Sequence, residues 1–294
     1  MAVRISGVFP ALATPFVKGE VALGALASNI DKYNRSGLAG YLALGSTGES
    51  VLMNERERLQ VLETVRAAAP DRTLIAGTGM QSTRATIEFT GLAADAGADV
   101  ALVVTPFYYK SQMTSEILQA YYREVAEASR IPLLLYNVPK FTGIDLPLDA
   151  IASLAEHPNI VGLKESSGSV AFLGEVLRAC PEDFAVFQGM GSVLFPSLAI
   201  GASGGILALS DMAPAETVEI RDLLLEGEHL KAREVQKKVL PLNQYIFGRY
   251  GIPGLKAALD LLGYVGGDPR PPLKPVSTET KDRIRQILEK AGVI

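Results

Sequence analysis

The stretch IVGLKESSG, residues 160–168, is an apolar run that ends at a single lysine, Lys164. Segments with helical spacing of apolar residues separate this run from others like it. Eight such runs are present in all: GVFPALAT, GYLALG, RTLIAGTG, DVALVVTP, IPLLLYNVP, NIVGLKES, FAVFQG and GGILALS. Near-continuous apolar strands that alternate with amphipathic helices are typical of a parallel sheet. Eight strand–helix units predict an α/β fold, a (β/α)8 TIM barrel, over residues 1–227.

A helical extension is predicted after the barrel, over residues 228–294. The segments GLKAALDLLGY and TKDRIRQILEKAG both show helical spacing, and the second has one apolar face. The proline- and glycine-rich segment GGDPRPPLKP between them predicts a loop. Within the barrel, Asn54 and Thr114 each precede an acidic first turn, so both are predicted helix N-caps.

The composition narrows the class of protein. The chain has 48% apolar and 20% charged residues, which favours a folded core, and its net charge of −4 disfavours nucleic-acid binding. No apolar run is long enough to span a bilayer, and the N-terminal residues lack the pattern of a signal peptide. Together with the single cysteine, Cys180, this predicts a cytoplasmic protein with no membrane partner. The two histidines disfavour a metal site, although carboxylate ligands remain an alternative.

Reactive groups in such barrels collect at the carboxyl ends of the strands. Here those ends are rich in small hydroxylated residues and tyrosine, poor in carboxylates and free of histidine. The set is typical neither of a Ser-His-Asp hydrolase nor of a glycosidase. The segment GASGG, residues 201–205, does match G-x-S-x-G, with Asp211 or Asp222 and then His229 downstream. Its serine precedes a strand instead of following one, which disfavours a hydrolase. GTGMQS and GMGSVL lack the third glycine of a dinucleotide fingerprint.

Lys164 is either an anchor that extends to solvent or a nucleophile held in a dry site. Alternation along the strand places Ile160, Gly162 and Lys164 on one face, and Val161 and Leu163 on the other. If the first face lines the barrel interior, burial lowers the proton affinity of the amine and makes it a nucleophile near neutral pH. The neighbouring strand ends supply groups that a Schiff-base mechanism needs, so we favour the nucleophile.

Two further strand ends carry candidate site residues. Tyr136 ends the preceding strand and should lie beside Lys164, where its phenol can move protons; simple packing is the alternative. The segment GSTGE, residues 45–49, is a glycine-flanked turn with backbone N–H groups and two hydroxyls. These are the features of a carboxylate cradle for a keto acid, or of a turn with capping hydroxyls.

The strand ends together resemble one known family. GSTGES, VTPFYY, LLYNVP, IVGLKESSG and GASGGILA occur in the order and spacing of the dihydrodipicolinate synthase/N-acetylneuraminate lyase superfamily, and the resemblance covers essentially the whole chain. The resemblance implies a TIM barrel with a C-terminal helical extension, usually a homotetramer. It also implies a class I aldolase that binds pyruvate or another 2-keto acid, and an aldehyde, through a lysine imine without metal or organic cofactor.

The resemblance also implies roles for individual residues. Lys164 matches the Schiff-base lysine and Tyr136 the proton-shuttling tyrosine. Gly45, Ser46 and Thr47 match the turn that holds the pyruvyl carboxylate, with Thr47 in the proton relay. Further positions complete the implied site: Tyr108, which enters the neighbouring subunit's site, and Gly189 and Ile206, which line the pocket.

One departure from the family pattern bears on the substrate. Dihydrodipicolinate synthases carry YNVPxRTG, whose arginine binds the carboxylate of the semialdehyde, whereas this chain has YNVPKFTG. Phe141 replaces the arginine in the substrate pocket, and the adjacent Lys140 is not equivalent. Because a phenyl ring cannot pair with a carboxylate, the sequence favours reversible cleavage of 4-hydroxy-2-oxoglutarate to pyruvate and glyoxylate. AGTGMQSTRATIE, TGIDLPLDAI and RYGIPGLKAALDLLGYVGG also resemble the aldolase of that reaction.

Three alternatives remain open from the sequence. The first is condensation of pyruvate with aspartate semialdehyde by a 4-hydroxy-tetrahydrodipicolinate synthase, in lysine biosynthesis. The second is dehydration of a sugar-derived keto acid through the same imine. The third is a non-catalytic keto-acid sensor, which the presence of Lys164, Tyr136 and Thr47 together disfavours.

Overall fold

The computed structural model describes residues 5–294; residues 1–4, which the predicted barrel domain included, lie outside the described residues. Ten strands are present in this range: β1 Gly7–Pro10, β2 Phe16–Val17, β3 Glu20–Val21, β4 Gly40–Ala43, β5 Thr73–Gly77, β6 Val100–Val104, β7 Leu133–Asn137, β8 Ile160–Glu165, β9 Ala185–Gln188 and β10 Gly204–Leu207. Eight of them form one parallel sheet in the order β1-β10-β9-β8-β7-β6-β5-β4, and β2 and β3 form a short antiparallel hairpin.

Helices separate the strands and continue after them. Over residues 5–294 the α-helices are α1 Leu23–Tyr33, α2 Glu55–Ala68, α3 Thr83–Asp95, α4 Ser115–Ala128, α5 Pro139–Thr142, α6 Leu148–Ala155, α7 Val170–Ala179, α8 Leu194–Ala199, α9 Leu209–Met212, α10 Pro214–Leu225, α11 His229–Pro241, α12 Gly248–Leu261 and α13 Thr278–Lys290. A π-helical segment, Leu242–Phe247, joins α11 to α12. None of the helices in residues 5–294 has the length and apolar character that a membrane crossing requires.

The two edges of the eight-stranded sheet meet. Just beyond β1, the amide of Leu12 donates to the carbonyl of Leu42 in β4 at 2.9 Å, and Ala11 forms a parallel bridge with Leu42. The sheet therefore curls into a barrel, and the predicted (β/α)8 fold with C-terminal helices is confirmed. The boundary at residues 227/228 falls between α10 and α11 and stays a prediction.

The hydrophobic residues form layers inside and outside the barrel. The inner cluster consists of strand and strand-end residues, and in it Phe9 and Phe187 meet edge to face at 5.8 Å between ring centres. The outer clusters join the opposite faces of the strands to the helices; Tyr41 of β4, for example, packs with Ile30 of α1. Inward-facing residues at the carboxyl ends of the strands therefore surround the mouth of the barrel.

The predicted alternation along β8 is correct at its end and wrong at its start. Gly162 and Lys164 pair with Leu134 and Tyr136 of β7, which belong to the inner cluster. Ile160, however, packs in the outer cluster with Leu163, because the β7–β8 register shifts by one residue at its start. Such a bulge exchanges the faces of the residues before it. Lys164 keeps its predicted inward position.

The predicted helix signals outside the strands are confirmed. Asn54 forms a capping box with Glu57 at the start of α2, and the Thr114 hydroxyl accepts from an amide in the first turn of α4. The extension contains α12 and α13 with a loop between them that includes Asp268. Gly251 interrupts α12 with φ 61° and ψ −147°, a conformation that glycine adopts without strain.

Candidate active site

Lys164 lies on the inner face of β8, one residue from its carboxyl end, and its side chain is 4% exposed. Burial lowers the pKa of this amine to about 7, against the opposing effect of the Asp211 carboxylate. A substantial fraction of Lys164 is then neutral at neutral pH, which is the form that attacks a carbonyl carbon. The interpretation of Lys164 as a buried nucleophile is therefore supported by its environment, and the alternative of an anchor extending to solvent is not.

Tyr136 is the direct register partner of Lys164 on the neighbouring strand. The amine nitrogen of Lys164 lies 4.6 Å from the centre of the Tyr136 ring. Burial raises the pKa of Tyr136, and the nearby hydroxyls of Ser46 and Ser166 oppose this effect. The phenol thus faces two hydroxyls that can carry a proton to or from it. Of the two hydroxyls in the GSTGE turn, the one that reaches Tyr136 is Ser46, whereas the resemblance assigned the relay to Thr47.

The GSTGE turn is a compact structure with two internal hydrogen bonds. The amide of Gly48 donates to the Gly45 carbonyl at 3.1 Å, and the amide of Glu49 donates to the Ser46 carbonyl at 3.2 Å. These two amides are engaged within the turn, so the amides of Ser46 and Thr47 are the donors that it offers a carboxylate. Thr47 is buried at 7% exposure.

Glu49 connects the turn to the C-terminal extension. It adopts a left-handed conformation, with φ 58°, and its fully buried carboxylate forms an ion pair with Lys256 of α12 at 2.5 Å. The amide of Arg270 donates to the other carboxylate oxygen at 2.8 Å. Lys256 Nζ and Arg270 Cζ each lie 4.4 Å from the centre of the Phe16 ring. The extension therefore holds the turn, a role for Glu49 and Lys256 that the sequence did not suggest.

Polar contacts at the ends of β7 and β8 fix the two central side chains. The buried Glu165 carboxylate accepts from the Asn137 side chain at 2.7 Å and from the amide of Ser167. Gly189 follows β9 and packs against Ser166: a Cβ atom there would lie 1.8 Å from the Ser166 hydroxyl. Ile206 is fully buried in the inner cluster with Tyr136. The structure thus places Gly189 and Ile206 next to the predicted site.

A cavity of about 510 Å³ opens in front of this group. Its wall includes Ser46 and Tyr136 at one end and Phe141 of α5 at the mouth. Ile252, which follows the interruption of α12, also lines it. Lys164 is not part of this wall; its amine lies 4.6 Å from the ring centre of Tyr136, which is part of it. Phe141 is 52% exposed, so it presents a ring and no charge where a substrate enters.

Tyr108 is not brought into this group. It lies in the loop after β6, is 74% exposed, and meets Tyr109 edge to face at 5.0 Å. The side-chain oxygen of Gln81 accepts from the amides of Phe107 and Tyr108, both at 2.9 Å, and so fixes the loop. Phe107 lines the cavity of its own chain whereas Tyr108 does not.

Two residues near the site were given no role in the Schiff-base interpretation of the sequence; Asp211 was considered only as the acid of the disfavoured hydrolase. Asp211, in α9 after β10, is 1% exposed; its Oδ1 accepts from the amide of Ala13 at 3.2 Å, and its Oδ2 has no partner within residues 5–294. Burial raises the pKa of Asp211 well above its usual range. Its position at a strand end was the available signal. Arg58 of α2 lines the cavity, and no sequence motif pointed to it.

Comparisons with known proteins agree with this geometry. The model of the dihydrodipicolinate synthetase family matches residues 4–291. A 4-hydroxy-tetrahydrodipicolinate synthase from Methanothrix thermoacetophila is 38% identical over 286 residues, which cover 97% of this chain and 96% of that protein.

Solved structures give the same result. A chloride-inhibited dihydrodipicolinate synthase from Acinetobacter baumannii, complexed with pyruvate, superposes with a TM-score of 0.94 at 34% identity, covering 99% of this chain and 100% of that one. A structure described as the first monomeric dihydrodipicolinate synthase variant has a TM-score of 0.95 at 31% identity, covering 100% and 99% of the two chains.

Proposed function

Because this chain belongs to the dihydrodipicolinate synthetase family, we propose that it condenses pyruvate with aspartate semialdehyde as a 4-hydroxy-tetrahydrodipicolinate synthase. The chain is an enzyme of the class I, pyruvate-dependent type, which works through a lysine imine. The observation that carries the proposal is the buried amine of Lys164, with its pKa of about 7, beside the Tyr136 phenol. The names of the relatives support this reaction over the aldol cleavage that the sequence favoured.

In this proposal the first half of the reaction forms an imine. The neutral amine of Lys164 attacks the ketone carbon of pyruvate, and the carbinolamine loses its hydroxyl as water after Tyr136 delivers a proton. The amides of Ser46 and Thr47 hold the pyruvyl carboxylate. The iminium then loses a proton from the methyl carbon to the Tyr136 phenolate, which restores the phenol and leaves an enamine on the enzyme.

The second half forms the carbon–carbon bond. The enamine carbon attacks the aldehyde carbon, and the resulting alkoxide takes a proton from Tyr136. The nearby hydroxyls of Ser46 and Ser166 help to reprotonate Tyr136. The amino group of the former semialdehyde then attacks the iminium carbon, which closes the ring, and one of its protons passes to the departing amine of Lys164. The chain contributes a dry, preorganised site that holds both reactants close together.

Phe141 departs from the synthase pattern and so supports a second candidate, the cleavage of 4-hydroxy-2-oxoglutarate to pyruvate and glyoxylate. Its ring stands at the cavity mouth where the synthase pattern has an arginine, so the aldehyde carboxylate finds no charge at this position. The same imine would run the reaction backwards: Tyr136 takes the hydroxyl proton, the carbon–carbon bond breaks, and the enamine is protonated and hydrolysed.

The proposal includes a second copy of the chain and a cytoplasmic setting. The exposed Tyr108 and Tyr109 suit an interface, and Tyr108 is proposed to enter the site of the neighbouring subunit in a homotetramer. Residues 1–227 form the catalytic barrel and residues 228–294 the extension in this scheme.

Paired turnover assays on one purified preparation test the two candidates. One assay follows the condensation of pyruvate with aspartate semialdehyde, and the other follows pyruvate release from 4-hydroxy-2-oxoglutarate. Faster condensation is the expected result. Faster cleavage would overturn the proposed synthase activity in favour of the second candidate. An absence of turnover in both assays would overturn both candidates.

A further inference from the structure

A second cavity, of about 180 Å³, lies between helix α13 and the segment in which the π-helix passes into α12. It shares no lining residue with the cavity in front of Tyr136. None of the residues that line it, all within the described part of the chain, is acidic. We call it the basic cleft, after its polar wall residues Tyr245, Arg249, Tyr250, Arg283, Gln286 and Lys290.

The positive charge of the basic cleft is only partly neutralised. Arg283 pairs with Glu279, one turn earlier in α13, but Glu279 is not part of the wall. Arg249 and Lys290 form no ion pair within residues 5–294, and the Arg249 Cζ atom lies 5.5 Å from the centre of the Tyr250 ring. The whole chain has a net charge of −4, so three cations in one cleft are a local exception. A cleft lined by one sign of charge concentrates ions of the opposite sign.

The cations reach the basic cleft from both of its sides. Arg249 belongs to α12, whereas Arg283 and Lys290 belong to α13. The last two are seven residues apart, which is about 10 Å along a helix axis. Guanidinium groups bind carboxylate and phosphate oxygens in pairs, and a tyrosine hydroxyl is a further donor. Donors spread over this distance suit an anion with more than one charged group.

The volume of the basic cleft limits the size of a ligand. Its 180 Å³ equals about six water molecules at about 30 Å³ each. Cavities for drug-sized ligands measure roughly 300–1,000 Å³, so this cleft is smaller than a site for a nucleotide cofactor. A small anion with two or three charges matches both its volume and its wall.

The basic cleft is close to the catalytic cavity along the chain. Tyr250 directly precedes Gly251, where α12 is interrupted, and Ile252 lines the catalytic cavity. Tyr245 lies in the π-helical segment, a rare conformation that is frequent at functional sites. A ligand in the cleft therefore contacts the same segment that supplies a wall residue to the catalytic cavity.

We propose that the basic cleft binds a small polyvalent anion, of the class of polycarboxylates and inorganic diphosphates. Arg249 on one side, and Arg283 with Lys290 on the other, contact its charged groups. The hydroxyls of Tyr245 and Tyr250 donate to the remaining oxygens. This site is separate from the proposed reaction, because none of the groups assigned to the keto acid or the aldehyde belongs to it.

Calorimetry with citrate and with pyrophosphate, in about 0.1 M salt to screen distant charges, tests the site. The unmodified protein is expected to bind at least one of them with a Kd of about 1 mM or lower. The double variant Arg249→Gln with Lys290→Gln should bind it at least 10-fold more weakly, because two charge-assisted contacts are lost. The single variant Lys290→Gln should show part of this loss. Tighter binding of citrate would assign the polycarboxylates, and tighter binding of pyrophosphate the diphosphates.

The matched control is the double variant Lys281→Gln with Arg285→Gln. It removes the same charge from exposed residues of α13 that do not line the cleft, so binding should not change. Acetate, with one charge, should bind at least 10-fold more weakly than the preferred anion. Equal weakening in both double variants would indicate general attraction to positive charge and overturn the inference.

Two further results would also overturn the inference. One is the absence of citrate and pyrophosphate binding to the unmodified protein. The other is undiminished binding to the variant of Arg249 and Lys290, which would place the anion elsewhere, such as in the catalytic cavity. Because the measurement needs no turnover, its result does not depend on which reaction the enzyme catalyses.

Discussion

Tyr136 and Lys164 are register partners on adjacent parallel strands, with the lysine amine 4.6 Å from the centre of the tyrosine ring. Backbone pairing sets this relationship, so neither side chain needs a loop to reach the other. The close approach of β8 and β9 requires Gly162, because a Cβ there would lie 2.2 Å from the Ala185 carbonyl oxygen.

Lys164→Ala is expected to abolish imine trapping by borohydride in the presence of pyruvate. In the unmodified enzyme the rate of trapping should rise as the pH increases through about 7, because the neutral amine becomes the major form above its pKa. Mass spectrometry of the trapped protein measures both effects. Lys140→Ala is the control, since Lys140 is an exposed lysine near the cavity mouth. Appreciable trapping in Lys164→Ala would remove Lys164 from its assigned role.

Lys164→Met should stabilise the fold while it destroys activity. The folded-state pKa of Lys164 lies well below that of the unfolded chain, so the unfolded state binds more protons between about pH 7 and the ordinary lysine pKa. The penalty from Lys164 is therefore largest below pH 7 and shrinks as the pH rises. We expect a gain of a few kcal/mol (~2–5) at pH 6 that decreases by pH 9. Chemical denaturation at both pH values measures it; a gain independent of pH would contradict the argument.

Tyr136→Phe should lower kcat by about 10²- to 10⁴-fold, the usual contribution of a positioned proton-transfer group. Removal of one oxygen leaves the lysine environment apolar, so pyruvate imine should still be trapped, although more slowly. Steady-state kinetics and trapping on the same preparation separate the two steps. Tyr41→Phe is a matched control, because this buried phenol donates to the Asn34 side chain in an outer cluster, away from the cavity. A kcat that is unchanged in Tyr136→Phe would assign proton transfer elsewhere.

Mixing two inactive variants tests whether Tyr108 acts in a neighbouring subunit. Lys164→Ala lacks the nucleophile and Tyr108→Ala lacks the exposed tyrosine. A mixed pair of subunits contains one complete site, so random reassociation should restore about a quarter of the full activity. A mixture of Lys164→Ala with Tyr136→Phe should restore none, since both residues belong to the same subunit's site. Failure to complement in the first mixture would place Tyr108 outside the catalytic arrangement.

Lys256→Met should destabilise the fold by about 3–5 kcal/mol, because it leaves the fully buried Glu49 carboxylate without its counter-ion. The double variant with Glu49→Gln should recover part of this loss. Lys238→Met, which removes one partner of a more exposed lysine–glutamate pair, should cost less than about 1 kcal/mol. Urea denaturation of the unmodified protein, Lys256→Met, Glu49→Gln and the double variant gives the coupling energy. A coupling near zero would mean that the Glu49–Lys256 pair does not hold the turn.

The sequence predicted the strands and helices well because local residue patterns determine them. Apolar runs located every barrel strand, and Asn54 and Thr114 were recognised as caps from the residues that follow them. Alternation placed Gly162 and Lys164 on one face, and the residues of the other strand ends favoured the inward direction for that face. The bulge that turns Ile160 outward was not predictable, because register is a property of two strands and not of one.

Functional residues outside the strand ends were harder to predict. Arg58 lies on a helix with the ordinary spacing of a charged surface residue, and only the fold shows that it lines the cavity. Lys256 and Glu49 are far apart in the chain, and nothing in either segment indicates that they form an ion pair. The outward position of Tyr108 fits the implied subunit contact.

The contacts of Glu49 with Lys256 and Arg270 have a consequence for how the enzyme matures during synthesis. All eight barrel strands leave the ribosome before either partner of Glu49 does. A nascent chain can therefore assemble most of its barrel while its buried carboxylate still lacks a counter-ion and its GSTGE turn is unsupported. The active site is therefore complete only after Lys256 and Arg270 have been synthesised, and a translation product that lacks them would bind and process keto acids poorly.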